Sequence, residues 1–236
     1  MRHLLRSPDA RTVFALAAAV GLAACENAPA PPAAGQEPGW SLAVGGGRLD
    51  LDLDYGGQSL NLPLLVAEQA GGVTRYRAAE PGHAAVVSAA RRVCRDTMSG
   101  VPHPFTVEVQ IDGDRLAGCG GQPVSLLAGS WEVEQLDGGG LLAGSRITLE
   151  VSAEDRRVSG LASCNRFTAG FELGGEGLTV AGPASTRMAC APEVMEQEER
   201  FLHLLAGARA FDLDSGGKLI LSGPAGRLTA RRAPAP

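Results

Sequence analysis

The chain has 236 residues, enough for one large domain or two small ones, with 44% hydrophobic residues to supply a core and 20% charged residues. Its net charge of −5 leaves no basic field to gather nucleic-acid phosphates, so no nucleic-acid partner is expected. Aromatic residues are scarce at 4%, whereas 32 Gly and 15 Pro favour many short elements joined by turns. All basic side chains other than His are Arg apart from Lys218, and they are scattered along the chain.

In chain order, the first feature is a positively charged start with Arg2, Arg6 and Arg11, followed by the apolar run "TVFALAAAVGLAA". That run has the length of a signal-peptide core and is too short for a mature spanning helix. It ends in Leu22-Ala23-Ala24-Cys25, which resembles the bacterial lipobox. The resemblance implies cleavage after residue 24, lipidation of Cys25 and a membrane anchor. Glu26 in the next position implies sorting to the outer membrane, facing the periplasm. Residues 26–39, "ENAPAPPAAGQEPG", read as a Pro/Ala spacer that cannot bury enough apolar surface to fold. No later apolar segment is long enough to cross a membrane as a helix.

A β-rich unit is expected over 40–124. "RLDLDLDY" alternates Leu49, Leu51 and Leu53 with Asp50, Asp52 and Asp54, the period of a strand with one wet face. "CRDTMSGVPHPF" reads as a polar loop. "FTVEVQI" alternates again, and "DGD" at 112–114 turns the chain into "RLAGCGG", a hairpin that returns Cys119 toward Cys94.

A second β-rich unit is expected over 125–236. "SWEVEQL", "RITLEV", "VSGLASCNRFTAGFEL" and "LTVAG" read as strands, as do "FDLD", "KLILS" and "RLTARR", all divided by turn residues. One helix interrupts them, with Pro192 at its first position and Gly207 as its stop. Glu193, Glu196, Glu198 and Glu199 suit the positive end of the helix and read as a solvated acidic face. Val194, Met195, Phe201, Leu202 and Leu205 make its apolar face. The fold class is therefore mainly β with one packed helix, in two small antiparallel, barrel-like or curved-sheet domains.

With Cys25 set aside, Cys94, Cys119, Cys164 and Cys190 remain. The signal segment implies an oxidising compartment, and the local pairs lie 25 and 26 residues apart, so Cys94–Cys119 and Cys164–Cys190 form the expected framework. Four cysteines allow three pairings, and the sequence alone does not choose among them. A four-thiolate zinc site would show close C-x-x-C pairs, and a nucleophilic Cys would need a His base linked to it; neither pattern is present. No metal, cofactor or catalytic constellation is expected, for the chain contains no G-x-S-x-G, H-E-x-x-H or phosphate-binding loop.

The segments "LAGSWEVEQL", "VSGLASCNRFTAGFE", "TRMACAPEVMEQEERFLHLL" and "LILSGPAGRLTARR" together resemble the META domain family over Leu126 to Arg231. The resemblance implies a small β fold with a packed helix, an envelope location and a role in stress tolerance without established catalysis. It also implies pairing of Cys164 with Cys190. Ser163 stands where some members have Gly. The first half, through "CRDTMSGVPHPFTVEV" and "LAGCGG", resembles an uncharacterised domain of bacterial envelope proteins, which implies only the Cys94–Cys119 pairing. If the second disulfide joins their loops, Asn165, Arg166, Thr186 and Arg187 come together. They would then either recognise a carboxylate or phosphate or satisfy backbone groups in tight turns. Function is expected through binding to an envelope protein or a ligand. The alternative is inhibition of an extracellular hydrolase such as lysozyme or a protease through the 94–104 loop. A third reading places a small amphipathic ligand inside a barrel.

Overall fold

The computed structural model describes residues 32–234. The signal segment, Cys25 and the spacer as far as residue 31 lie outside the described residues. The chain forms two β bodies with separate hydrophobic cores.

The first body is a closed eight-stranded barrel. Its strands are β1 (Ala33–Gln36), β2 (Gly39–Gly45), β3 (Arg48–Leu53), β4 (Gln58–Ala70), β5 (Val73–Glu80), β6 (His83–Ala90), β9 (Phe105–Ile111) and β10 (Asp114–Gly120). Between β6 and β9, the two-residue strands β7 (Cys94–Arg95) and β8 (Pro102–His103) pair with each other outside the barrel. Strand alternation sorts the side chains as expected: Leu49 and Leu51 are fully buried, while Asp50 and Asp52 face solvent. Asp54 leaves that face, because β3 ends at Leu53 and Asp54 and Tyr55 adopt positive φ values of 49° and 54°.

Val107, Val109 and Ile111 point inward from β9. Asp112 and Gly113 then form the two-residue turn into β10, both at positive φ, as such hairpins require. Trp40, Tyr76, Val87 and Leu116 join these residues, so the barrel is filled by its own side chains. Eight strands leave an interior of about that capacity.

The spacer expected over residues 26–39 is corrected at 33–36. This stretch is β1, which closes the barrel between β2 and β10. Its small residues allow the closure: a Cβ on Gly35 would lie 2.1 Å from the Trp40 indole nitrogen. Composition hid the strand, because "AAGQ" carries almost no apolar signal. Strands β4 to β6 were also not legible, since runs such as "LPLLVAEQA" and "HAAVVSAA" lack strict alternation.

The second body begins with a one-turn helix, α1 (Val124–Leu127), and holds ten strands. These are β11 (Gly129–Leu136), β12 (Gly139–Gly140), β13 (Thr148–Ser152), β14 (Arg157–Leu161), β15 (Arg166–Gly174), β16 (Gly177–Val180), β17 (Ala184–Ser185), β18 (Ala210–Leu213), β19 (Leu219–Gly223) and β20 (Gly226–Arg232). Eight of them run in the order β16-β15-β14-β13-β11-β20-β19-β18, with β12 and β17 attached at the side. The sheet nearly closes where the Leu178 N–H donates to the Arg209 carbonyl at 2.7 Å.

Helix α2 (Pro192–Ala206) packs on this barrel-like sheet and buries Phe201, Leu204 and Leu205 against Phe167 and its neighbours. Burying each such side chain contributes about 1.5–3 kcal/mol. The apolar face expected from sequence is revised at its N-terminal end. Met195 is exposed and Val194 half-buried, while Gln197 and Glu198 are buried in their place. Trp131 is buried beneath the Arg232 guanidinium, 4.0 Å from the ring centroid, and donates its indole N–H to the Leu127 carbonyl at 2.8 Å.

Candidate functional site

The polar residues of the second body converge where three segments meet: the turn 162–165 between β14 and β15, the loop after β17, and the first half of α2. Ser163 sits at φ 84°, a left-handed conformation that favours glycine. Its hydroxyl accepts a hydrogen bond from Gln197 Nε2 at 2.7 Å, which offsets part of that cost. The same amide reaches Ser145 at 2.8 Å, and Gln197 Oε1 accepts the Leu142 N–H at 2.7 Å.

This turn aims consecutive backbone N–H groups at α2. Glu198 Oε2 accepts from Cys164 N at 3.2 Å and Asn165 N at 2.7 Å, and its Oε1 accepts from Asn165 Nδ2 at 2.9 Å. Paired N–H groups of this kind form an anion-binding concavity. Here the anionic side chain comes from the protein itself. Glu198 is only 5% exposed, so the expected solvated acidic face is corrected at this position. A side-chain acceptor is required there because the turn's N–H groups are buried and need partners.

Asn165, 1% exposed, uses its whole amide. Oδ1 accepts from Thr186 Oγ1 at 2.8 Å and Met188 N at 2.7 Å, while Nδ2 donates to Glu198 and to the Met188 carbonyl at 3.4 Å. Thr186 and Arg166 exchange further bonds across the loops: Arg166 N donates to Thr186 Oγ1 at 3.2 Å and Thr186 N to the Arg166 carbonyl at 3.0 Å. The Cys164–Cys190 disulfide, with Cα atoms 6.2 Å apart, ties the two loops beside this network.

The four residues singled out from sequence therefore divide. Asn165 and Thr186 turn inward and hold the loops together. The guanidinium groups of Arg166 and Arg187 are exposed and make no hydrogen bond or ion pair among the described residues. Sequence reasoning missed Glu198 and Gln197. The available signal was their spacing, since Glu198 lies three and seven residues before Phe201 and Leu205 on one helical face.

In the first body, Cys94–Cys119 (Cα atoms 5.4 Å apart) anchors the β7–β8 loop to β10. Asp96 Oδ1 accepts from Met98 N, Ser99 N and Ser99 Oγ at 2.8–3.2 Å, an Asx-type cage. These bonds, the Ser99 backbone N–H foremost, hold the Asp96 carboxyl below its usual range. Arg95 reaches the second body. Its guanidinium binds Asp212 bidentately at 2.8–3.1 Å and donates to the Leu213 carbonyl at 3.1 Å. Val101 from the same loop packs against the second core. The loop suspected of an inhibitory role is thus also the clasp between the two bodies.

These features define a class: a two-body, disulfide-tied β protein whose C-terminal body is a nearly closed sheet sealed by one helix. More particularly, residues 124–235 match the family model of the META domain, and the C-terminal half of the chain is a META domain. Two solved structures are similar to it. One, titled "NMR structure of the protein", is 28% identical, spans 47% of this chain and 93% of its own, and has a TM-score of 0.39. The other, from Burkholderia xenovorans, is 27% identical, spans 48% of this chain and 87% of its own, and also has a TM-score of 0.39. A search of curated proteins finds no match.

Proposed function

We propose that this protein is a lipid-anchored, non-enzymatic component of the bacterial envelope. In this reading it faces the periplasm from the outer membrane and supports stress tolerance or envelope integrity by binding a protein or ligand. The observation that carries the binding reading is the internal use of the polar groups that the second disulfide gathers. Asn165, Thr186 and Glu198 hydrogen-bond one another and the adjoining backbone, which leaves recognition to exposed groups such as Arg166 and Arg187. The lipobox-like Leu22–Cys25 supports the anchor. The test is crosslinking of the full-length protein in native envelopes, beside mass analysis of its N-terminal peptide. Recovery of a diacylated Cys25 peptide and one dominant crosslinked partner is expected; an unmodified Cys25 and diffuse, low-yield captures would overturn the reading.

A second reading, inhibition of an extracellular hydrolase, is favoured by one observation. Met98 is 77% exposed at the tip of a loop that is anchored to β10 by a disulfide and caged by Asp96. Rigid, pre-ordered loops bind at low entropic cost. Hydrolase assays with the intact protein and its Met98→Asp variant separate this reading from the first.

A further inference from the structure

An open cleft of about 240 Å³ lies between the two bodies. One wall comes from the first body and its connection, through Val101, His103 and Gln122. The other comes from the META domain, through Arg156 in the turn after β13, Leu173 near the end of β15 and Gly175 in the turn that follows. Clefts at domain boundaries are frequent sites of ligand recognition. The Arg95–Asp212 clasp is a further link between the two bodies that form the walls.

The chemistry of the walls is selective. None of the residues lining the cleft is acidic, in a chain that carries 26 Asp and Glu residues. The Arg156 guanidinium makes no hydrogen bond, ion pair or ring contact among the described residues, and neither does the Gln122 amide. Arg156 sits at φ 50° in the tight turn between β13 and β14. His103 Nδ1 lies 3.0 Å from the Gly121 carbonyl, which can only accept, so Nδ1 carries the proton. In the neutral ring Nε2 is then an acceptor, without a partner among the described residues. Val101 and Leu173 supply apolar surface between these groups.

We propose that this cleft binds the C-terminal residue of a peptide. A lone guanidinium matches a planar monoanionic carboxylate, which it takes bidentately, better than a doubly charged phosphate. A peptide's last residue presents an N–H beside that carboxylate, the group His103 Nε2 can accept. The small volume limits the contact to one or two small side chains. Gly174 and Gly175 face open space, and neither has a positive φ, so a side chain placed there projects without backbone strain.

This inference rests on the binding reading above. The test is calorimetric titration of the full-length protein with N-acetyl-alanyl-alanine and with its C-terminal amide. The wild-type protein should bind the acid at least tenfold more tightly than the amide, as a lost charge-assisted bond implies. Arg156→Gln should lose the same factor, and Gly175→Leu should block binding while unfolding at the wild-type temperature. Absence of binding to the acid, equal binding of acid and amide, or an unchanged affinity in Arg156→Gln would each overturn the assignment. A dominant envelope crosslink that persists in Arg156→Gln would leave the binding reading standing while the cleft assignment falls.

Discussion

Asn165 and Glu198, 33 residues apart, meet inside the META domain through a 2.9 Å hydrogen bond from Asn165 Nδ2 to Glu198 Oε1. Because Glu198 also accepts two backbone N–H groups of the Ser163–Asn165 turn, one helical side chain fastens the turn and, through Asn165, the 186–188 loop.

Removing that acceptor should be costly. Glu198→Ala leaves the Cys164 and Asn165 N–H groups and one amide proton buried without a partner, each at about 1–3 kcal/mol if fully desolvated. Partial relaxation should reduce the total to about 3–4 kcal/mol, measured by urea unfolding. Glu198→Gln, which keeps one carbonyl acceptor, should lose less than half as much.

Ser163 separates backbone strain from hydrogen bonding. Ser163→Ala keeps the left-handed backbone but loses the bond from Gln197, and should destabilise by about 1–2 kcal/mol. Ser163→Gly loses the same bond but relaxes the backbone, and should lie within about 0.5 kcal/mol of wild type. Thermal melts of the two variants should differ by several degrees, with Gly the more stable.

Arg166 and Arg187 should behave oppositely to their neighbours. Arg187→Ala and Arg166→Ala remove exposed side chains and should change stability by no more than about 0.5 kcal/mol. Asn165→Ala breaks four side-chain hydrogen bonds and should cost several times more in the same unfolding assay.

The Asp96 cage makes the 94–104 loop acid-sensitive. Hydrogen bonds from Ser99 and Met98 favour the carboxylate and lower the folded-state pKa below the ordinary value. The unfolded state therefore takes up the proton first as pH falls. The stabilisation is complete above the usual carboxylate range, near pH 4, and is lost as pH drops through the lowered value. Amide signals of Met98 and Ser99 should hold their native positions down to about pH 4 and shift only below it. A loss beginning above pH 5 would contradict the cage.

Arg95→Ala should loosen the two bodies without unfolding either. The Arg95–Asp212 pair is half-exposed, and such pairs contribute about 1 kcal/mol or less. Each body keeps its own core. Small-angle scattering should show a broader distribution of dimensions while the melting temperature changes little.

The sequence by itself determined what depends on local periodicity and covalent chemistry. Alternation in "RLDLDL" and "FTVEVQI" marked strands with one buried face, and the Asp112-Gly113 turn follows from which residues tolerate positive φ. Pro192 and Gly207 bracketed α2 because one suits the first helical position and the other ends a helix. Cysteine spacing and the resemblance to known domains pointed to the two disulfides that the structure contains.

Tertiary structure decided whatever depends on a partner distant in the chain. "AAGQ" became a strand only because β2 and β10 offered free hydrogen-bonding edges and Trp40 needed the space above Gly35. Glu198, read as solvated, became buried because a turn more than thirty residues upstream presented unsatisfied N–H groups to it. The cleft between the bodies has no local signature at all. Val101, Gln122, Arg156 and Leu173 belong to a loop, a connection, a turn and the end of strand β15, and only the packing of one body on the other gathers them into a single surface.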